Sequence, residues 1–418
     1  MYNTMHGSYT KDTNFFKSTT PFDLINEYGS PIYVYNEDVF RQRCKDIKHL
    51  VTYDNFVPHY SIKANTNIHL LKIAREEGLH ADTMSPGEIF MALKSGFTSE
   101  ELFYIPNNAT KEDFEYAISH NVLTSVDSVE QLELYCSLNP NSKVAVRFNP
   151  GVGAGHHNKV VTAGKKTKFG VNMDEFEAVN QIIEKHNMTL VGINQHIGSL
   201  FMHSEAFIES TTCLLEFAKR FDSLEFIDLG GGFGIPYKKQ DGEAPIDLED
   251  LGKEMDKLFK GFANTYGRNI QFQIEPGRYV ACESGIILGQ ITGTKKNADT
   301  MYIGTDIGFN VLARPMMYGS HHDIELYTND IEYDATISPY TVVGNICESG
   351  DILATDRMLP KPKYGDLIGI MDAGAYGFAM STSYNQRPRC AEVLIKSSGE
   401  VQQIRRKETF EDLIALMQ

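Results

Sequence analysis

Between residues 56 and 275, short apolar runs alternate with amphipathic stretches, and this regularity constrains the fold more than any other feature of the chain. Strand candidates fall near 56–60, 80–84, 102–105, 122–126, 143–148, 189–195, 225–229 and 270–275. Helical periodicity separates them at 66–78, 86–96, 111–120, 128–137, 173–186, 204–221 and 248–266. Parallel neighbours each need a crossover, so eight strands alternating with helices over about 220 residues predict an α/β fold, a closed (β/α)8 TIM-type barrel. A doubly wound sheet is the competing architecture. It fits less well, because no Gly-x-Gly-x-x-Gly follows the first strand and eight units are more than such a sheet needs.

After Arg278 the texture changes. Runs rich in Val, Ile, Tyr and Thr appear near 286–295, 301–307, 322–327, 333–343, 366–372, 390–396 and 400–405, divided by Gly, Pro, Asn and Asp. They predict a second, all-β C-terminal domain closed by a helix over 409–417. An isolated strand at 31–35 precedes the barrel pattern and is expected to join that domain, giving limits of 36–283 for the barrel and 1–35 plus 284–418 for the β domain. Residues 1–20 are polar and expected to be partly mobile. From Glu37 to about Tyr53 a helix is expected, with Val39, Phe40, Cys44, Ile47 and Leu50 on one side.

With 418 residues, 42 % of them hydrophobic, the chain can bury a large core. Acidic residues outnumber basic ones 55 to 39, and the formal charge of -16 is unbroken by any long basic run, which argues against nucleic acid and anionic membranes as partners. The six cysteines are spread without a short-spaced pair, so neither a disulfide framework nor a zinc knuckle is indicated. A reducing, cytoplasmic setting is expected, since the first residues lack a basic start with an apolar core and no apolar run approaches ~18 residues. His156-His157 and His321-His322 are poor metal pairs. Adjacent residues on a strand point to opposite faces and no third ligand is spaced to join them, so no metal is assigned.

Four segments carry chemistry, each placed where a predicted strand ends. In Tyr60-Ser61-Ile62-Lys63-Ala64-Asn65 the lysine ends a strand and the asparagine is expected to open a helix; on the catalytic face of a barrel such a lysine can lose its proton and attack a carbonyl carbon. Taken alone it is read more readily as a solvated loop lysine. Strand six ends in Gln195-His196-Ile197-Gly198-Ser199, and strand seven runs into Gly230-Gly231-Gly232-Phe233-Gly234, either a flexible turn or a cradle whose amides approach an anion. Strand eight ends in Glu275-Pro276-Gly277-Arg278, and the loops after strands seven and eight are the usual phosphate site of such barrels. A lysine, a stacking ring, a phosphate cradle and a carboxylate together suit pyridoxal 5′-phosphate, which needs an amine for its aldehyde, a ring platform, anion binding and an acid to keep its pyridine nitrogen protonated.

Over roughly residues 30–405 the chain resembles the pyridoxal-phosphate decarboxylases of the alanine-racemase-like barrel fold, in particular the diaminopimelate decarboxylase branch. Besides the segments above, the resemblance rests on Ser85-Pro86-Gly87-Glu88, Arg147-Phe148-Asn149-Pro150-Gly151, Lys168-Phe169-Gly170, Arg314-Pro315-Met316-Met317-Tyr318, Cys347-Glu348-Ser349-Gly350-Asp351, Gly374-Ala375-Tyr376-Gly377 and Tyr384-Asn385-Gln386-Arg387-Pro388-Arg389. It implies that Lys63 is joined covalently to the cofactor, that His196 stacks on its ring, and that Ser199, Gly231, Gly232 and Glu275-Pro276-Gly277-Arg278 hold phosphate and ring, with Glu275 facing the pyridine nitrogen. It further implies that Tyr376 reaches the cofactor, that Cys347 supplies the proton that replaces carbon dioxide, and that Arg278, Arg314, Tyr318, Glu348 and Tyr376 bind substrate. In the family the Cys347-Glu348 segment completes the neighbouring subunit's site, which implies an obligatory homodimer. The implied reaction converts meso-2,6-diaminopimelate into L-lysine and carbon dioxide.

The residue chemistry agrees with that implication. Two arginines beside Glu348 can pair a distal carboxylate and a distal ammonium together, whereas a decarboxylase of lysine or ornithine meets only an amine there. The competing expectations are a decarboxylase of the same fold acting on another basic amino acid or a carboxylated polyamine, and a non-catalytic cofactor carrier, against which the presence of both Lys63 and Cys347 speaks. The loop at 153–158 and the turn at 163–167 resemble the family's loop over the active site, although Lys165-Lys166 is more basic than the pattern.

Overall fold

Eight short strands, too apolar to remain exposed, close on one another as a parallel barrel. They are β1 (Phe56–Ser61), β2 (His80–Thr83), β3 (Leu102–Tyr104), β4 (Leu123–Val126), β5 (Lys143–Asn149), β6 (Thr189–Asn194), β7 (Phe226–Asp228) and β8 (Gln271–Ile274). β5 pairs with β6, and Phe272 of β8 lies opposite Phe56 of β1, so the ring has no free edge. The computed structural model describes residues 2–151, 154–155 and 168–417. It divides into a barrel unit, Arg41–Ile235 with Pro245–Val280, and a β unit, Met1–Phe40 with Pro236–Ala244 and Ala281–Gln418.

Outside the strands lie α1 (Ile68–Glu76), α2 (Pro86–Lys94), α3 (Lys111–Ser119), α4 (Val129–Leu138), α5 (Phe176–Lys185), α6 (Glu205–Ala218) and α7 (Leu248–Tyr266). Local chemistry marks several of their starts. Ser85, Thr110, Ser128 and Asp247 each accept a hydrogen bond from a backbone N–H in the first turn, satisfying donors that a helix leaves open. Packing then fixes position: the Phe259 ring of α7 stacks on Phe272 of β8 with centroids 4.0 Å apart and planes 6° from parallel. Inside the barrel, Gly192 of β6 lies against the Phe226 ring, where a Cβ would meet it at 2.0 Å. Only glycine leaves room for that ring.

In the β unit, Ile32–Asn36 runs antiparallel to Gly285–Asn297 and parallel to Ala391–Ile395, so the isolated N-terminal strand does join the later sheet. The sheet's main path runs Asn3–His6, Ile324–Thr328, Leu367–Ile370, Gly285–Asn297, Thr300–Thr305, Ile337–Val343 and Ile352–Pro360. The last strand has no counterpart in the sequence reading, because Thr355 and Asp356 are exposed and Asp356 adopts a φ of 50°, which breaks the alternation. The expectation of a partly mobile N-terminus is also corrected. Asn3–His6 is a sheet strand, Phe15 and Phe16 enter the core, and buried Thr10 bonds to the Glu325 carboxylate through its N–H at 3.1 Å and its hydroxyl at 2.5 Å. Nor is the unit purely β, since it includes helices Pro21–Tyr28 and Arg314–Tyr318. The helix beginning at Glu37 stops at Lys48.

Candidate active site

At the C-terminal mouth of the barrel, β1 passes into a single 3-10 turn, Ile62–Ala64, that carries Lys63. The helix that follows is opened by Asn67, whose side chain accepts from the His69 N–H, and not by Asn65, whose side chain instead accepts from the Asn67 N–H at 3.0 Å. The intervening turn consumes the residues expected to start the helix. Lys63 Nζ lies 4.0 Å from Oδ2 of Asp82, which is fully buried one residue before the end of β2 and accepts a 2.5 Å hydrogen bond from Ser61.

Three carboxyl groups crowd this mouth, and they do not all carry charge. Burial, reinforced by the negative charge of Glu275, pushes Asp82 and Asp228 well above the usual carboxylate range. For Glu275 burial also raises, but the neighbouring His196 and Asp228 side chains and the Lys63 charge outweigh it and hold the group at about 2. Asp228 Oδ1 accepts the Gly230 N–H at 2.8 Å. His196 Nδ1 is 3.5 Å from Glu275 Oε2, yet this is no ion pair: Nδ1 accepts the Gly231 N–H at 3.1 Å, and burial keeps the ring neutral by lowering its pKa. A flat, uncharged imidazole beside a fixed carboxylate results.

The glycines after β7 press backbone against backbone. A Cβ at Gly230 would lie 2.2 Å from the Gln195 carbonyl oxygen, one at Gly231 2.0 Å from that of Glu275, and one at Gly232 2.6 Å from that of Gly198. The loops after β6, β7 and β8 thus meet at a point where no side chain fits, and Arg278 donates to the Ser199 hydroxyl there at 2.9 Å. Ser61 N–H is bonded to the Pro276 carbonyl at 3.1 Å, tying the end of β8 back to the Lys63 segment. A cavity of 390 Å³ opens between Lys63, Arg147, Phe169, His196 and Glu275, a volume suited to a small organic ligand.

The β unit carries the other expected residues. Arg314 is 2 % exposed, its guanidinium lying over the Tyr237 ring and donating to Ser320 Oγ at 3.2 Å. Cys347 and Glu348 are exposed on a loop held from beneath by buried Asp351, whose carboxylate accepts the Phe309 and Ile346 N–H groups at 2.7 Å each. The Cys347 N–H donates to Asn385 Oδ1 at 3.0 Å and the Tyr384 hydroxyl to Glu348 at 2.8 Å. Tyr376 is placed on a tight turn with φ of 55°. Tyr318 closes the short helix begun by Arg314.

Asp82, Asp228 and Arg147 received no role from the sequence, and the barrel brings all three to the mouth. Their signal was available, since each ends or nearly ends a strand that the apolar pattern predicts. Glu88 of the Ser85-Pro86-Gly87-Glu88 segment has a structural task, accepting the Met84 N–H at 2.7 Å beside the Ser85 cap. The loop at 153–158 and the turn at 163–167, with His156-His157 and Lys165-Lys166, lie outside the described residues apart from Ala154 and Gly155. Among the described residues no group of three or more His, Cys, Asp or Glu side chains is arranged to hold a metal, and no helix is long and apolar enough to cross a membrane.

A barrel with a lysine amine, a fixed carboxylate, a neutral ring and a glycine cradle at one mouth has the parts needed by an enzyme whose cofactor carries both an aldehyde and a phosphate. Comparison with known proteins agrees: residues 37–282 match the family described as pyridoxal-dependent decarboxylase, pyridoxal binding domain. Diaminopimelate decarboxylase of Methanothermobacter thermautotrophicus is 38 % identical over 401 residues, covering 94 % of this chain and 92 % of that protein. The Escherichia coli K12 diaminopimelate decarboxylase is 32 % identical over 428 residues, covering 98 % and 99 %. A crystal structure of the Helicobacter pylori diaminopimelate decarboxylase complexed with L-lysine superposes with a TM-score of 0.87 at 30 % identity, covering 95 % of this chain and 99 % of the other. The chain belongs to the pyridoxal-dependent decarboxylases and, within them, to the diaminopimelate decarboxylase family.

The residues present fit pyridoxal 5′-phosphate. The backbone cradle leaves no room for side chains where a phosphate needs amides. Arg147, 6 % exposed, lines the same cavity, and its buried Nη2 has no hydrogen-bond acceptor among the described residues, as an acceptor-rich ligand requires.

Proposed function

We propose that this protein decarboxylates meso-2,6-diaminopimelate at its D-configured centre, releasing L-lysine, with pyridoxal 5′-phosphate as cofactor. The observation that carries the substrate assignment is Arg314: a guanidinium only 2 % exposed, stacked on an aromatic ring, with Nε lacking an acceptor and no carboxylate partner among the described residues. A buried charge left unpaired costs several kcal/mol, so a carboxylate from outside the chain is its natural partner. Diaminopimelate keeps such a carboxylate at the end remote from the reaction. L-lysine, bound in the related Helicobacter pylori structure, retains it as product.

When bound, pyridoxal phosphate supplies an aldehyde for amines and a ring that accepts the electron pair left by a departing carboxylate. Lys63 Nζ is the amine that would hold the group through its aldehyde. Glu275, ionised above about 2, would keep the ring nitrogen protonated. An uncharged His196 would pack against the ring, and Gly232, Ser199 and Arg278 would bind phosphate, with Gly231, Pro276 and Gly277 shaping the loop. Tyr376 contributes from the β unit. Carbon dioxide leaves the substrate, and the Cys347 thiol returns a proton to the carbon that lost it. Arg278, Arg314, Tyr318 and Glu348 select the far head group.

The proposal includes a homodimer in which Cys347 and Glu348 serve the neighbouring subunit's site, supported by their exposure on a braced loop. It includes a cytoplasmic setting, supported by six unbridged cysteines. Functional domain limits of 36–283 and 1–35 plus 284–418 belong to the same reading. The deciding experiment offers purified protein and cofactor meso-diaminopimelate, L-lysine, L-ornithine and D-lysine in parallel and follows carbon dioxide. Release from diaminopimelate alone is expected, and comparable release from L-lysine would overturn the assignment.

A further inference from the structure

One buried network in the β unit has no part in the reaction as written. Tyr237 is 5 % exposed, and the Arg314 guanidinium carbon lies 5.3 Å from its ring centroid. The His322 ring stands edge-on to Tyr237, centroids 5.3 Å apart at 78°, and His322 Nδ1 is 2.8 Å from the Met371 carbonyl oxygen. The Tyr237 hydroxyl lies 3.1 Å from Cys282 Sγ, and that thiol donates to the Asp372 carbonyl at 3.0 Å. The Asp372 carboxylate, fully buried, accepts Lys239 Nζ at 2.7 and 2.8 Å, and the same ammonium lies 3.2 Å from Glu283. Hydroxyl, thiol, carbonyl and ion triad together leave the Tyr237 ring little freedom to turn.

A guanidinium that must receive a substrate carboxylate poses a conflict. An acidic neighbour would hold it in place but compete with the substrate, whereas an aromatic face attracts and orients the cation while leaving its N–H groups to bind. We propose that Tyr237 is a positioning residue for Arg314, and through it for selection of a substrate with a carboxylate at its far end. This inference rests on the decarboxylase reading above.

The test compares holoenzyme variants by steady-state kinetics on diaminopimelate and by calorimetric titration of L-lysine, which keeps the far carboxylate, against cadaverine, which lacks it. Tyr237→Leu is expected to raise KM and the L-lysine Kd roughly tenfold, with kcat within about threefold and cadaverine binding unmoved. Tyr237→Phe, which keeps the ring face, recovers most of the loss. In an Arg314→Leu background the Tyr237→Leu change adds nothing, because the group it acts through is gone. Should Tyr237→Leu not fold, Tyr237→Met makes the same comparison, with thermal unfolding and cofactor absorbance as controls. An unchanged L-lysine Kd, an equal loss for cadaverine, or full additivity with Arg314→Leu would overturn the inference. Wild-type protein that releases no carbon dioxide from diaminopimelate would remove the functional reading, and the lysine titration still judges Tyr237 by itself.

Discussion

Lys63, Arg314 and His59 show how much one side chain carries. Lys63→Ala is expected to abolish turnover and the visible absorbance of bound cofactor while the far-ultraviolet dichroism persists, because the Lys63 side chain is one-third exposed at the mouth and is not among the buried apolar side chains of the core. Arg314→Leu should raise KM for diaminopimelate by roughly a hundredfold or more, as expected for loss of a buried charged hydrogen bond, and equal losses on every substrate would refute its assigned role. His59, inside the barrel, is lowered to about 3, chiefly by burial and then by the neighbouring His80. Its folded value lies below the unfolded one, so the unfolded chain takes up the proton first. Stability should therefore be full above pH 6.5 and fall as the pH drops toward about 3, by about 1.4 kcal/mol per pH unit for this group. Urea unfolding of wild type and His59→Leu at pH 7 and pH 5 checks it: the variant should lose less on acidification.

Among the elements, α7 and the loop after Ile337–Val343 do different work. The Phe259–Phe272 stack joins α7 to β8, and Phe259→Ala should cost ~3–5 kcal/mol in denaturant unfolding, because a ring-sized cavity would remain between helix and barrel wall. Asp351 grips the loop that presents Cys347 by accepting two backbone N–H groups at once. An amide has one acceptor oxygen, so Asp351→Asn leaves one of those donors unmatched and should lower kcat more than it raises KM. Local sequence foretells α7 well: an Asp247 cap, apolar residues at helical spacing and Gly267 at its end with φ of 75°. It foretells Ile352–Pro360 poorly, since that strand draws its order from its neighbour and not from alternation of its own residues.

For the whole molecule, the proposed dimer makes a sharp prediction. If Lys63 of one subunit works with Cys347 of its neighbour, then Lys63→Ala and Cys347→Ala proteins, each inactive, should recover about a quarter of wild-type activity when mixed and allowed to exchange, because half the dimers are mixed and each carries one intact site. No recovery after exchange verified by native mass spectrometry would show that the two residues belong to one subunit's site.

Amino-acid order alone determined the eight alternations, the change of texture after Arg278 and the positions of Lys63, His196, the glycines and Glu275, because apolar periodicity and strand-end chemistry are local properties. It missed the N-terminal arm, whose few anchors, Phe15, Phe16 and Thr10, become informative only when Glu325 and the sheet are beside them. The protonation pattern at the mouth belongs to tertiary structure as well. Asp82, Asp228 and Glu275 are alike as residue types, and which of them is pushed up and which held down depends on barrel closure, which buries all three and sets Glu275 beside His196, Asp228 and Lys63.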